Sequence, residues 1–208
     1  MNLKTLATIG LIIGIFLEAL EGTVVATAMP AVVRDLGSPQ LYALPFSIYL
    51  LTQTVSSPLW GRVSDLIERK RLYLIGIVLY LLGSGLCGAA HSMHWLIAMR
   101  VVQGVGAGCV MTLTFTLIGD MYVMEQRAKV QGYMSGVWGI AGLLGPLVGG
   151  LITDNISWRW VFYLNVPFGI TAFVLCVLFV QEVKQERKKY RLDIPGTALL
   201  IIGASCLV

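Results

Sequence analysis

Residues 5–33 read TLATIGLIIGIFLEALEGTVVATAMPAVV. About 20 consecutive apolar residues in a helix cross the hydrocarbon core of a bilayer. This stretch exceeds that length, and its only charges are Glu18 and Glu21. It reads as a membrane-spanning helix with two carboxyls near its middle. Working outward, five further stretches have the same character: 41–60, 72–90, 95–119, 130–153 and 158–181. The expected fold class is therefore an all-α membrane protein. Residues 1–181 form a six-helix transmembrane bundle, 182–193 a basic linker, and 194–208 the start of a seventh helix cut short at Val208.

Composition supports this. Of 208 residues, 57% are hydrophobic and 12% charged, and mean hydropathy is +0.80. Soluble domains run about 45–50% apolar and about 25% charged. A weakly charged, apolar chain is not disordered either. The net charge of +4 is too diluted for a nucleic-acid partner. Cys87, Cys109, Cys176 and Cys206 sit in apolar runs without metal-ligand spacing and read as small buried side chains. The first apolar run is too long for a cleavable signal peptide. Gly104, Gly106 and Gly108 lie inside an apolar span with no strand before them, so they are no phosphate loop. Without a nucleophile–base pair or a metal cluster, nothing points to an enzyme, and no cofactor or metal is expected beyond a coupling ion.

Lys4, Arg62, Arg69, Lys70, Arg71, Arg127, Lys129, Lys184, Arg187, Lys188, Lys189 and Arg191 fall on one side of six alternating helices; Arg34 and Arg159 fall on the other. The positive-inside rule makes the first side cytoplasmic, with the N-terminus and the linker inside. Gly61, Ser64 and Asp65 recur as Gly150, Thr153 and Asp154, each set after Pro-Leu at the end of a helix. Three helices apart, the copies lie on opposite faces, as an inverted three-plus-three repeat would leave them.

Charges inside a span cost at least about 2.5–3.5 kcal/mol at the helix centre, so they are informative. Glu18 and Glu21, spaced i,i+3, share a face. Such carboxyls can take up and release a proton, meet a cationic ligand, or serve as neutral or paired structural groups. Arg100 cannot shed its charge and needs a carboxylate, carbonyls or water, or else must snorkel outward. Gln103 and Gly104 share its face. Asp65 with Arg69, Lys70 and Arg71 forms a tight turn after Gly61, able to cap a helix and to pair with a neighbouring one. The fifth span carries glycine at 132, 136, 139, 142, 145 and 149, a stripe that admits close helix approach. Pro146 is expected to weaken or kink that helix. Trp158, Trp160 and Tyr163 suit an interfacial aromatic belt. Asn165 and Pro167 inside the sixth span are less ordinary: a buried amide needs a partner, and proline leaves a carbonyl free.

Together these stretches resemble the major facilitator superfamily, and within it the fourteen-helix drug:proton antiporters. Residues 20–30, LEGTVVATAMP, look like that branch's first-helix motif, with Glu21 where Asp is usual and Ala26 where Asn is frequent. Residues 61–71, GRVSDLIERKR, are similar to the superfamily's gating loop, with Glu68 in place of its second glycine. Arg100, Gln103, Gly104 and Gly106 match the fourth-helix motif, whose arginine the family associates with proton transfer. Gly145, Pro146, Gly149 and Gly150 match the antiporter motif, with Ala141 where another glycine is expected. Residues 158–167, WRWVFYLNVP, resemble the start of the branch's sixth helix.

The resemblance implies the N-terminal bundle of an alternating-access transporter that exports hydrophobic or cationic small molecules in exchange for protons. Its partners would be the lipid bilayer of the cell membrane, a small-molecule substrate and the missing C-terminal half of the same chain; an accessory membrane-fusion protein stays open. The carboxyls inside the first span and the resemblance together make Glu18, Glu21, Arg100 and Gln103 the expected coupling and substrate site. Two other functions stay open: a proton symporter or facilitator for a specific metabolite, and a non-transporting membrane module.

Overall fold

The computed structural model describes residues 3–181. The expected linker and seventh helix lie outside the described residues. Seven α-helices run in chain order: α1 (Leu3–Leu36), α2 (Leu44–Val63), α3 (Arg69–Gly88), α4 (Met93–Met121), α5 (Met124–Asn155), α6 (Arg159–Tyr163) and α7 (Asn165–Phe179). A single 3₁₀ turn, Pro39–Leu41, follows α1. Among the described residues, all regular structure is helical.

Local chemistry sets the boundaries. Gly37, with φ +72°, donates to the Val33 carbonyl and closes α1 in the left-handed conformation that glycine tolerates. Ser92 caps α4 by accepting from the Trp95 amide at 3.2 Å. Pro45 sits in the first turn of α2, where its missing N–H costs nothing. α5 starts at Met124 rather than at 130, because Glu125, Gln126 and Arg127 form a polar first turn before the apolar run. α6 and α7 make one apolar segment, Arg159–Phe179, interrupted at Leu164. Pro167 has no N–H for the Tyr163 carbonyl, which accounts for the interruption.

Five segments are long and apolar enough to cross a membrane: α1, α3, α4, α5 and α6–α7. α2, expected as a sixth, has the length of a span at 20 residues but not the hydropathy. The shortfall comes from Thr52, Gln53, Ser56 and Ser57. These are buried or half-buried residues that bond to neighbouring backbone or to Glu18, so they need not face lipid.

The arrangement has an internal symmetry. α1 packs chiefly on α5 and α7, and α4 chiefly on α2 and α3. Exchanging α1 with α4, α2 with α5, and α3 with α6–α7 maps these pairings onto each other, as the short Gly61/Gly150 echo anticipates. The two central crossings use one device. Gly104 and Gly108 on α4 lie against Thr52 and Ser56 on α2; Gly145 and Gly149 on α5 lie against Thr23 and Thr27 on α1. A Cβ on Gly104 would sit 2.7 Å from the Tyr49 carbonyl oxygen, which is fixed backbone. Glycine here permits a helix approach that no other residue allows.

Among the described residues, two large apolar clusters fill most of the bundle, and a smaller one, Leu17, Tyr49, Tyr80 and Ala107, joins them. One gathers Leu11, Ile15, Tyr73, Leu113 and Met134 near the end that carries the α2–α3 turn, the basic end. The other gathers Val24, Met29, Met93, Leu96 and Phe162 towards the opposite end. Between them lies a polar layer.

Candidate functional site

Glu18 and Glu21 stand near the middle of α1, and both are buried. α4 brings Arg100 and Gln103 to the same level, α3 brings Tyr80, Ser84 and Cys87, α2 brings Tyr49 and Gln53, and α7 brings Asn165. Gly83 makes room for this: a Cβ there would lie 2.6 Å from Gln103 Cα, so α3 and α4 touch along their backbones.

Arg100 is fully buried, with 0% exposure, so it does not snorkel. Its Nη1 donates to Glu21 Oε1 and, at 3.0 Å, to Gln103 Oε1. Its Nε donates to the Pro45 carbonyl at 3.0 Å. The guanidinium carbon stands 4.2 Å from the Tyr49 ring centroid, a cation–π contact in a water-poor setting. The second Glu21 oxygen accepts from Asn165 Nδ2 at 2.5 Å and from the Tyr80 hydroxyl at 3.4 Å. Asn165 Nδ2 also donates to Ser84 Oγ at 2.9 Å, and Ser84 in turn donates to the Phe162 carbonyl at 2.8 Å. Glu21 thus has a cation on one oxygen and two neutral donors on the other. Both oxygens of this buried carboxyl are therefore bonded, one of them to a cation.

Glu18 is different. Oε1 accepts from Gln53 Nε2, and the same amide nitrogen lies 3.6 Å from the Met111 sulfur. Oε2 is buried and has no partner among the described residues. Among the described residues, no salt bridge reaches this carboxyl.

The other expected site residues lie elsewhere. Arg69 opens α3 at the basic end and donates from Nη1 to both Asp120 oxygens on α4, at 2.6 and 2.5 Å. Asp65 lies 3.5 Å from Arg69 Nη2, and Glu68 pairs with Arg71 at 2.5 Å. The turn therefore pairs with a neighbouring helix but does not cap its own: Glu68, at the N-cap position, makes no side-chain cap. Gly61 carries the Ser64 Oγ hydrogen bond on its carbonyl, at 2.6 Å, and Lys70 is half-buried in the first turn of α3. Beside it, Arg127 donates to the Gly119 and Tyr122 carbonyls and closes the end of α4.

One expectation about α5 and one about α6 need correction. Of the glycine stripe, among the described residues only Gly145 and Gly149 meet another helix; Gly132, Gly136, Gly139, Gly142 and also Gly150 have nothing within 4 Å of a built Cβ. The stripe winds around α5, so it cannot all face α1. Pro146 lies inside the continuous helix α5. Thr23 Oγ1 reaches across to the Ala141 carbonyl at 3.3 Å, one turn before Gly145. Trp158 is not part of an interfacial belt: it is 4% exposed, stacks edge-on against Phe162, and donates from Nε1 to Asp35 at 3.0 Å. Trp160, half exposed, does suit a belt.

Tyr49, Gln53, Tyr80, Ser84 and Asp120 are site partners that sequence reasoning misses. None departs in type from ordinary helix residues, and only the packing assigns them.

These features define a class: a polytopic helical membrane protein with an inverted internal repeat and a buried ionic layer at mid-depth. The family model of the Major Facilitator Superfamily matches residues 11–203, and the chain belongs to that superfamily, a family of transporters rather than enzymes. It is similar to Multidrug resistance protein 3 of Bacillus subtilis, 40% identical over 200 residues that make up 96% of this chain and 39% of the relative. It is also similar to the multidrug transporter MdtP of the same organism, 40% identical over 205 residues, 99% of this chain and 38% of the relative. A Fusarium efflux pump, LUC4, is 36% identical over 93% of this chain and 35% of its own length. The human organic anion transporter MFSD10 shares the fold with a TM-score of 0.74 at 16% identity, covering 96% of this chain and 54% of that one. The chain thus spans well under half the length of the curated relatives it matches.

Proposed function

We propose that this chain is the N-terminal portion of a proton-coupled exporter of hydrophobic or cationic small molecules, working by alternating access. The observation that carries the reading is the buried layer. One carboxyl, Glu21, is neutralised by Arg100, and a second, Glu18, has no cation beside it. A transporter that exchanges a proton for a cation needs such a site in a water-poor interior. The efflux names of the relatives support the direction of transport. Basic residues concentrated at the α2–α3 and α4–α5 turns support a cell-membrane orientation with the N-terminus inside. In this reading Arg100 and Gln103 hold the charge of Glu21, the Arg69–Asp120 contact latches one access state, and the Gly145–Gly149 crossing lets α5 move against α1. The coupling ion is the proton; the missing half of the chain supplies the other wall of the substrate path.

The test uses cells that express the full-length protein, loaded with fluorescent lipophilic cations, with and without a protonophore. Export that collapses on adding the protonophore is expected. No export of any dye, with the protein shown in the membrane, would overturn the multidrug reading in favour of a specific metabolite carrier.

A further inference from the structure

The two carboxyls of α1 are neighbours in sequence and unlike in circumstance. Glu21 has donors on both oxygens, one of them a guanidinium. Glu18 has a single neutral donor, on Oε1, and its buried Oε2 is left without a partner. A buried carboxylate with one orphan oxygen and no cation carries a large desolvation penalty. A carboxylic acid does not: its carbonyl oxygen accepts from the Gln53 amide, and its hydroxyl needs one acceptor.

Beside this carboxyl lies a cavity of about 10 Å³ with an almost wholly apolar lining, bounded by Glu18 and Tyr80 together with Gly14, Ile77, Ala107 and Ala172. Such surroundings offer a carboxylate no compensating donor. Across the cavity, the Tyr80 hydroxyl contacts the Leu17 carbonyl and Glu21 Oε2, both at 3.4 Å. On the other side of Glu18 the Gln53 amide and the Met111 sulfur are both half-buried, so they stand between the carboxyl and the bundle surface.

We infer that Glu18, rather than Glu21, is the carboxyl that carries the transported proton, while Glu21 serves as the fixed partner of Arg100. This rests on the proton-coupled reading above. The groups facing Glu18 agree with it. From α2 come Tyr49 and Gln53, from α3 Tyr73 and Tyr80, from α4 Met111, and from α7 Ala172; none of these is a base or a cation. Arg100 is the charged group of α4 at this level; its Nη1 lies on Glu21, and its Nη2, buried and without a partner among the described residues, makes no bond to Glu18. The step is a simple ionisation. The O–H bond of Glu18 breaks, the electron pair stays on the carboxyl oxygen, and the proton leaves to water. The carboxylate so formed lacks a counter-charge until a cationic substrate supplies one. A proton and a cation therefore compete for one carboxyl, which is the elementary requirement of exchange. Gln53, which donates to that carboxyl in either state, is a positioning residue.

The experiment uses the full-length protein reconstituted in lipid vesicles, with ethidium as the cation probe. At neutral pH the infrared spectrum of the wild type contains the carbonyl band of a neutral buried carboxylic acid, which E18Q removes and E21Q retains. Loss of that band in E21Q but not in E18Q would overturn the assignment, and so would its absence from the wild type. In vesicles acidified inside, E18Q loses the part of ethidium uptake that depends on the gradient. Gradient-driven uptake by E18Q equal to wild type would also overturn it. Should E18Q not reach the membrane, E18D is read instead: its band must shift in frequency, and an unshifted band sinks the proposal. If the wild type itself takes up ethidium without any dependence on the gradient, proton coupling fails. The band assignment still reports which carboxyl is protonated, so the two failures are distinct.

Discussion

Two arginine–carboxylate contacts tie α4 to another helix, and they teach different lessons. At mid-depth, Arg100 and Glu21 are both sealed, with side-chain exposures of 0% and 1%. At the basic end, Arg69 and Asp120 keep 17% and 18%. The inner pair cannot part without leaving a charge in a water-poor interior. The outer pair parts at lower cost, because water reaches its edge and can take up part of what is lost. One contact suits a permanent element of the bundle. The other suits a contact that forms and breaks.

The contrast is most easily broken at its strong end. Arg100→Leu leaves Glu21 charged and unpaired, and the expected loss of stability is about 3–5 kcal/mol. Melting in detergent would read it. Replacing Glu21 by Leu as well removes the orphan charge and should recover most of the loss. If the two losses simply add, the pair is not the unit described here. Next in size comes the packing that positions the pair. Gly104→Val drives a side chain into the α2 backbone and should cost about 1–3 kcal/mol, whereas Gly85→Ala, with open space around it, should leave the melting point unchanged or slightly raised. Equal losses in both would mean that helix propensity matters rather than the α2–α4 crossing. Arg69→Ala at the basic end should cost less than Arg100→Leu, about 1–3 kcal/mol, and part of the loss should shrink as salt is added. A salt-independent loss as large as that of Arg100→Leu would erase the distinction between the two pairs. The smallest effect is expected at the opposite end, where Asp35 accepts from Arg159 at 2.6 Å with 47% of its side chain exposed. Asp35→Asn should stay within about 0.5 kcal/mol of the parent.

What could be read before any coordinates follows the same division. Expensive residues announce themselves: Glu18, Glu21 and Arg100 stand out because an apolar span has no ordinary use for them. Their need for partners is legible too, as is that of the buried amide Asn165, but who pairs with whom is not: Arg100 meets Glu21, and Glu18 meets Gln53. The neutral partners were not legible. Tyr80 and Gln53 are unremarkable residues in their own helices, and only the rotation and depth of α3 and α2 against α1 make them ligands of a carboxyl. The same limit explains the glycines of α5. Spacing reported that they were there, but not which two faced α1. The polar face of α2 is the converse case, since hydropathy alone ranks it below a span while its length and packing make it part of the bundle. The repeat was faint in sequence because only a few turn residues survive, yet it is plain in the pairing of helices, which depends on shape rather than on identity.

The depth of the ionic layer has an electrical meaning. Glu18 and Glu21 flank the midpoint of α1, so a charge that enters the layer from either end of the bundle crosses about half of the membrane. A full crossing is worth about 2.3 kcal/mol per elementary charge at 100 mV, and half of it roughly 1.2 kcal/mol. Membrane voltage therefore acts on the filling of the layer from one side and on its emptying to the other in nearly equal measure, so that neither passage escapes the field and neither takes all of it.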